Sequence, residues 1–94
     1  MITVWKVYIL LSQKSRKTYV GSTDDFQRRF VQHNNGEVKS TKFGRPWVPI
    51  YLEFYPKEVD ARLREQYLKS SSGRRYLKTV LDEIINKWAF SSVG

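Results

Sequence analysis

The chain has 94 residues, with no cysteine, one histidine, and 17 Lys and Arg against nine Asp and Glu, a net charge of +8. These counts exclude a disulfide framework, thiolate metal centres and multi-histidine metal sites, so any bound metal must be held mainly by oxygen, which suits Mg2+ or Mn2+. They favour a polyanionic partner, nucleic acid before a membrane surface, and with no apolar run of membrane-spanning length and no signal-peptide pattern they lead us to expect one soluble, cytoplasmic domain over residues 1–94.

Two short apolar runs, Lys6 to Leu10 and Thr18 to Gly21, flank a polar segment from Ser12 to Lys17. β-Branched and aromatic arms around turn chemistry predict a β-hairpin. With an even-numbered loop, Tyr8 and Tyr19 share one face, while Trp5, Val7, Ile9, Leu11 and Val20 share the other and form core. Gly21 within a strand either weakens it or admits a close neighbour to the backbone. Ser22-Thr23-Asp24-Asp25 supplies capping oxygens and acids for a helix from about Asp24 to Asn34, stopped by Asn35-Gly36. On it Phe26, Arg29, Phe30 and His33 fall at i, i+3, i+4 and i+7 and share a face.

Glu37 to Pro49 is a polar, basic loop, long for a compact domain and expected to be functional or mobile. Its Lys39, Lys42 and Arg45 are candidates for phosphate contact. Ile50 to Tyr55 predicts a third strand, and Pro56 fits the first turn of a helix from Lys57 to about Ser70. That helix carries two apolar stripes, Val59-Leu63-Tyr67 and Ala61-Glu65-Leu68, so both sides are expected to be partly buried. Glu65 on its stripe needs a cation or donor to meet it. Ser70 to Gly73 is read as a break. Leu77, Val80, Leu81, Ile84, Ile85 and Trp88 then repeat at helical spacing over Arg74 to about Ala89, with a frayed tail beyond. The order β-β-α-β-α-α describes an α+β fold, a small three-stranded antiparallel sheet flanked by three helices.

Val7-Tyr8 and Tyr19-Val20-Gly21 resemble the paired signature of the GIY-YIG nucleases, in particular small single-domain members related to the N-terminal nuclease domain of the excision-repair protein UvrC. Lys6 stands at the first glycine of the signature, and both middle positions are valine. The resemblance covers almost the whole chain and implies the same β-β-α-β-α-α fold. It also implies a divalent-metal-dependent DNA endonuclease with a possible link to repair or recombination, acting in the cytoplasm and on the nucleoid. The alternative is a nucleic-acid-binding module of the same fold with little or no cleavage.

Hydrolysis of a phosphodiester needs a prepared water, charge at the phosphoryl oxygens and help for the leaving oxygen. The resemblance implies that Tyr8 and Tyr19 are the signature pair, with Tyr8 as base partner of His33, and that Gly21 permits close backbone approach. It makes Arg29 the phosphate-facing arginine and Glu65, within Ala61-Arg62-Leu63-Arg64-Glu65, the metal ligand. Each has a plainer reading: cross-strand packing for the tyrosines, a helix-end histidine, and an i, i+4 pair of Glu65 with Lys69. If His33 relays a proton, the rate should rise with pH through an ordinary histidine pKa. Ser22 and Thr23 follow Gly21 where many members of that family carry a lysine.

Overall fold

The computed structural model describes residues 3–93, apart from the side chains of Ile85 and of residues 88–93. The elements are β1 (Trp5–Ser12), β2 (Thr18–Thr23), α1 (Phe26–Asn34), a 3-10 turn at Lys42–Gly44, β3 (Trp47–Tyr55), α2 (Glu58–Lys69) and α3 (Ser71–Val93). The three strands form one antiparallel sheet in the order β2-β1-β3. The expected α+β architecture and chain order are therefore those of the molecule.

In the hairpin Tyr8 pairs with Gly21, Ile9 with Val20 and Leu10 with Tyr19. Tyr8 and Tyr19 are thus diagonal neighbours on one face, as the alternation requires. The turn is held by Ser12, whose Oγ accepts the backbone N–H groups of Lys14 and Ser15 at 3.2 and 2.9 Å. Arg16 takes the left-handed conformation there, at φ 65°.

The sheet is packed on both faces, with a different apolar cluster on each. Val7, Ile9 and Val20 meet Ala61 and Leu68 of α2 and Leu77 and Leu81 of α3. On the opposite face Tyr8, Leu10 and Trp47 pack with Tyr19 and with Phe26 and Phe30 of α1. Arg64 ties α2 to β3 by a forked pair of 3.0 Å bonds to Glu53, whose carboxylate also accepts the Tyr51 and Tyr55 hydroxyls. This contact fixes the rotation of α2, and with it the direction of the next residue, Glu65.

Several boundaries differ from the sequence expectation. The N-cap of α1 is the Asp25 carboxylate, accepting the Arg28 N–H, so the helix begins at Phe26. β3 begins at Trp47, which pairs with Ser12 of β1, and Asn34 bonds the other side of that residue: its Oδ1 accepts the Trp47 N–H at 2.8 Å and its Nδ2 donates to the Trp47 carbonyl at 3.0 Å. Pro56 lies outside α2, whose N-cap is Lys57. The break between α2 and α3 is Ser70 alone. Gly73 is helical, and a Cβ there would collide with the Tyr67 carbonyl, so the glycine lets α3 start against the end of α2. With no glycine or proline between Ala89 and Gly94, α3 runs on to Val93 in place of a frayed tail. The expectations for the Ile85 and Trp88 side chains lie outside the described residues.

One burial expectation is corrected. The Val59, Leu63 and Tyr67 stripe is 58%, 58% and 43% exposed, because α2 is covered only along Ala61 and Leu68. The segment from 37 to 46 is also not a loose loop. Ser12 Oγ donates to the Gly44 carbonyl at 2.6 Å, Trp47 Nε1 donates to the Thr41 carbonyl at 2.8 Å, and Thr41 is fully buried.

Candidate active site

Tyr8 and His33 are at most 1% exposed and meet at 2.8 Å between the phenol oxygen and Nε2. The other imidazole nitrogen, Nδ1, lies 2.7 Å from the Thr41 hydroxyl. That hydroxyl has the Val38 carbonyl as acceptor for its own proton at 3.4 Å, so it accepts from Nδ1–H. Nε2 is then the acceptor that receives the Tyr8 hydroxyl. The chain of bonds from Tyr8 through His33 to Thr41 and Val38 therefore runs in one direction. It leaves none of these buried side-chain polar atoms without a partner.

Burial sets the resting charge of both rings. Removal from water, with Tyr19 beside it, pushes the Tyr8 phenol up to about 12 against the pull of Arg29. Removal from water, reinforced by the Arg29 charge, pushes His33 down to about 4. The near-neutral histidine titration expected from the sequence is thus displaced to acid, and His33 is neutral throughout the physiological range. Tyr19 is half-buried, its ring 5.0 Å from that of His33 and 6.3 Å from that of Tyr8. Arg29, one turn before His33 on α1, is half-buried and donates to Gln32 Oε1 at 3.1 Å. Among the described residues it has no carboxylate partner, which leaves its charge directed at this site.

Gly21 explains how groups from both faces of the sheet converge. A Cβ on Gly21 would lie 2.5 Å from Tyr8 Cζ and closer still to its hydroxyl. The close neighbour that this glycine admits is the phenol of Tyr8, which reaches across β2. From the other face Glu65 approaches the same strand at Ser22, whose hydroxyl donates to Glu65 Oε1. The Glu65 charge is near enough to raise the Tyr8 pKa. The second carboxylate oxygen, Oε2, is held by Lys69 at 2.6 Å. The i, i+4 pair foreseen for Glu65 does form, yet the carboxylate is mostly buried, at 19% side-chain exposure.

Glu65 also decides how a metal fits. No cluster of three or more His, Cys, Asp or Glu occurs among the described residues. A single recessed carboxylate is still an adequate protein contribution for magnesium, which keeps waters and phosphate oxygens in its shell and needs one or two carboxylates. Glu65 would hold such an ion, in competition with Lys69.

Tyr8, Tyr19, Arg29, His33 and Glu65 are therefore brought together from four elements. Lys39, Lys42 and Arg45 are not part of this cluster. They are exposed; Arg45 Nε donates to the Lys42 carbonyl at 2.7 Å, and Lys42 lies over the Phe43 ring. Lys42 and Arg45 line a separate shallow cavity with Lys14 and Asn34. Sequence reading missed Thr41, Ser22 and Lys69 as parts of the site. The signal for Ser22 was its place directly after the signature glycine; for Thr41, a hydroxyl in a loop eight residues from the histidine, the sequence carries none.

Residues 4–78 match the family model described as the GIY-YIG catalytic domain. A UPF0213 protein of Staphylococcus saprophyticus is 34% identical over 77 residues, covering 80% of this chain and 94% of its own. Uncharacterized protein L300 of Acanthamoeba polyphaga mimivirus is 34% identical over 90 residues, 87% of this chain and 54% of that protein. The structure-specific endonuclease subunit slx1 of Schizosaccharomyces japonicus is 44% identical over 61 residues, 57% of this chain. The chain spans about half the length of the viral relative and 22% of the slx1 subunit.

Proposed function

The chain belongs to the GIY-YIG catalytic-domain family, and from that premise we propose that it is a divalent-metal-dependent endonuclease that hydrolyses DNA phosphodiester bonds. The observation that carries this reading is the buried Tyr8–His33 hydrogen bond, with Arg29 and Glu65 directed at the same place. Neutral His33 offers Nε2 as acceptor for the Tyr8 proton, so Tyr8 can take a proton from an attacking water as it passes its own to the imidazole. The two shifted pKa values keep the phenol protonated and the imidazole neutral in the resting site. Arg29 opposes negative charge developing on the phosphoryl oxygens and on the phenolate. Tyr19 walls the site. Glu65 would hold a magnesium or manganese ion, which would supply Lewis-acid neutralisation of the phosphate.

We extend the proposal to substrates chosen by structure and to a role in repair or recombination, supported by the similarity to a structure-specific endonuclease subunit and by a site too small for extensive base readout. The second reading, a nucleic-acid-binding module with little cleavage, is favoured by one observation: both oxygens of Glu65 are already engaged, by Ser22 and Lys69. Nicking of plasmid and cleavage of branched, flapped and single-stranded DNA with Mg2+ or Mn2+ separates the two. The nuclease reading expects metal-dependent cleavage that Glu65→Gln abolishes while DNA binding persists. Equal cleavage by Glu65→Gln and wild type overturns the assignment of Glu65.

A further inference from the structure

A groove of about 780 Å³ runs between the hairpin turn, the outer edge of β2 and the α2–α3 corner. Arg16 and Lys17 line it from the hairpin, Arg74 and Lys78 from α3, and Lys69 from the end of α2, against a single acid, Asp82. Lys69 is paired with Glu65, but Arg16, Lys17, Arg74 and Lys78 form no ion pair among the described residues. Four uncompensated cations on two facing walls make this a concave positive surface, where field lines concentrate and a polyanion is drawn in.

At one end the groove meets the candidate active site. Tyr19 lines it, and the Lys69 ammonium lies 5.6 Å over the Tyr19 ring. Whatever occupies the groove therefore touches Tyr19, whose ring is 5.0 Å from that of His33, and Lys69, which is bonded to Glu65. We infer that the groove carries an unpaired nucleic-acid strand leading away from the scissile phosphate, an inference that rests on the nuclease reading of the adjoining site. Two features select a single strand over a duplex. The groove is a concave cleft of small-molecule size, enough to seat a strand a few nucleotides long. Its cations face inward across a cleft, and an aromatic ring stands at its mouth, the combination that single strands use for phosphate tracking and base stacking. Lys42 and Arg45 of the 37–46 segment line a different cavity and take no part.

The test is binding by the full chain in EDTA, which keeps it independent of cleavage. The probes are a labelled thymidine oligonucleotide, a blunt duplex and a duplex with a single-stranded tail, each titrated at several salt concentrations. Each phosphate contact to a single strand contributes about 0.7 to the slope of log affinity against log salt. Arg74→Gln with Lys78→Gln should therefore lower the slope for the oligonucleotide by about 1.4. Arg16→Gln with Lys17→Gln, on the opposite wall, should do the same, and Lys57→Gln with Arg62→Gln, exposed toward the start of α2 and outside the groove, should leave it unchanged. Tailed duplex should lose affinity in the two groove pairs and blunt duplex should not. Equal losses in all three pairs, equal losses on blunt and tailed duplex, or wild-type slopes in both groove pairs would each overturn the groove assignment. Metal-dependent cleavage measured on the wild-type protein reports on the nuclease reading separately, so the two can fail independently.

Discussion

At the scale of single residues, the site depends on atoms that are absent as much as on those present. Gly21 leaves the space through which the Tyr8 phenol crosses β2. In Gly21→Ala the added methyl must displace the end of the Tyr8 ring from His33, and a misplacement of about 1 Å costs on the order of 10²-fold in rate. We expect cleavage to fall by at least that much while far-UV circular dichroism stays native; an active Gly21→Ala protein would contradict the proposed contact. His33 gives a prediction with a definite sign. It must be neutral to accept a proton, and burial has lowered its pKa to about 4. Single-turnover cleavage should therefore show no histidine limb near neutrality and should fall only as pH drops through about 4, with His33→Ala lowering the plateau and removing the acid limb. A limb centred near the ordinary histidine value of about 6.5 would show that the ring is solvated during turnover. The candidate site residues stood out in the sequence through the two tyrosine motifs, the helical spacing of Arg29 and His33, and a glutamate on an apolar stripe. The tautomer of His33 was not, since it is set by Thr41, whose approach depends on the path of an irregular segment that no periodicity encodes.

At the scale of elements, alternation and helical period located β1 to β3 and α1 to α3, because each is half-buried and its apolar residues recur accordingly. What they could not locate were ends determined by side chain to backbone bonds between distant segments. Asn34 is the main case, as it acts as a short strand partner for Trp47 on the side away from β1. Asn34→Ala leaves a part-buried N–H and carbonyl unpaired, a cost of about 1–3 kcal/mol. For a domain of this size each kcal/mol lowers Tm by about 4–8 °C. Thermal unfolding of Asn34→Ala should show a drop of about 4–24 °C, and an unchanged Tm would mean that pairing with β1 and the Trp47 ring hold the strand start without it. The same limit explains the misread stripe on α2. Val59, Leu63 and Tyr67 repeat at helical spacing like any core stripe, and only the placement of α3 along the Ala61 and Leu68 side leaves them in solvent.

At the scale of the whole molecule, the sheet is a partition between two apolar clusters of unequal reach. One joins Ala61 and Leu68 of α2 and the first half of α3 to β1 and β2, whereas the other is closed mainly by the rings of Phe26, Phe30 and Trp47 over Tyr8 and Leu10. Local openings follow such boundaries, with the less extensively packed unit opening at lower free energy. Native-state hydrogen exchange should accordingly resolve two classes of amide. Those of α1 and of residues 38–44 should exchange through partial opening, and those of β1 and the middle of α2 should exchange only on global unfolding. Because Tyr8 of β1 bonds to His33 of α1, an opened first unit has no assembled site, and substrate bound at Arg29 must hold it closed. Saturating tailed duplex, at about 100 times its Kd and with its scissile phosphate on Arg29 of α1, should slow the first class by up to about 100-fold, whereas uniform exchange across both classes would contradict the partition. Protection factors would then report ligand occupancy of an otherwise unlabelled chain, read from the exchange of one helix.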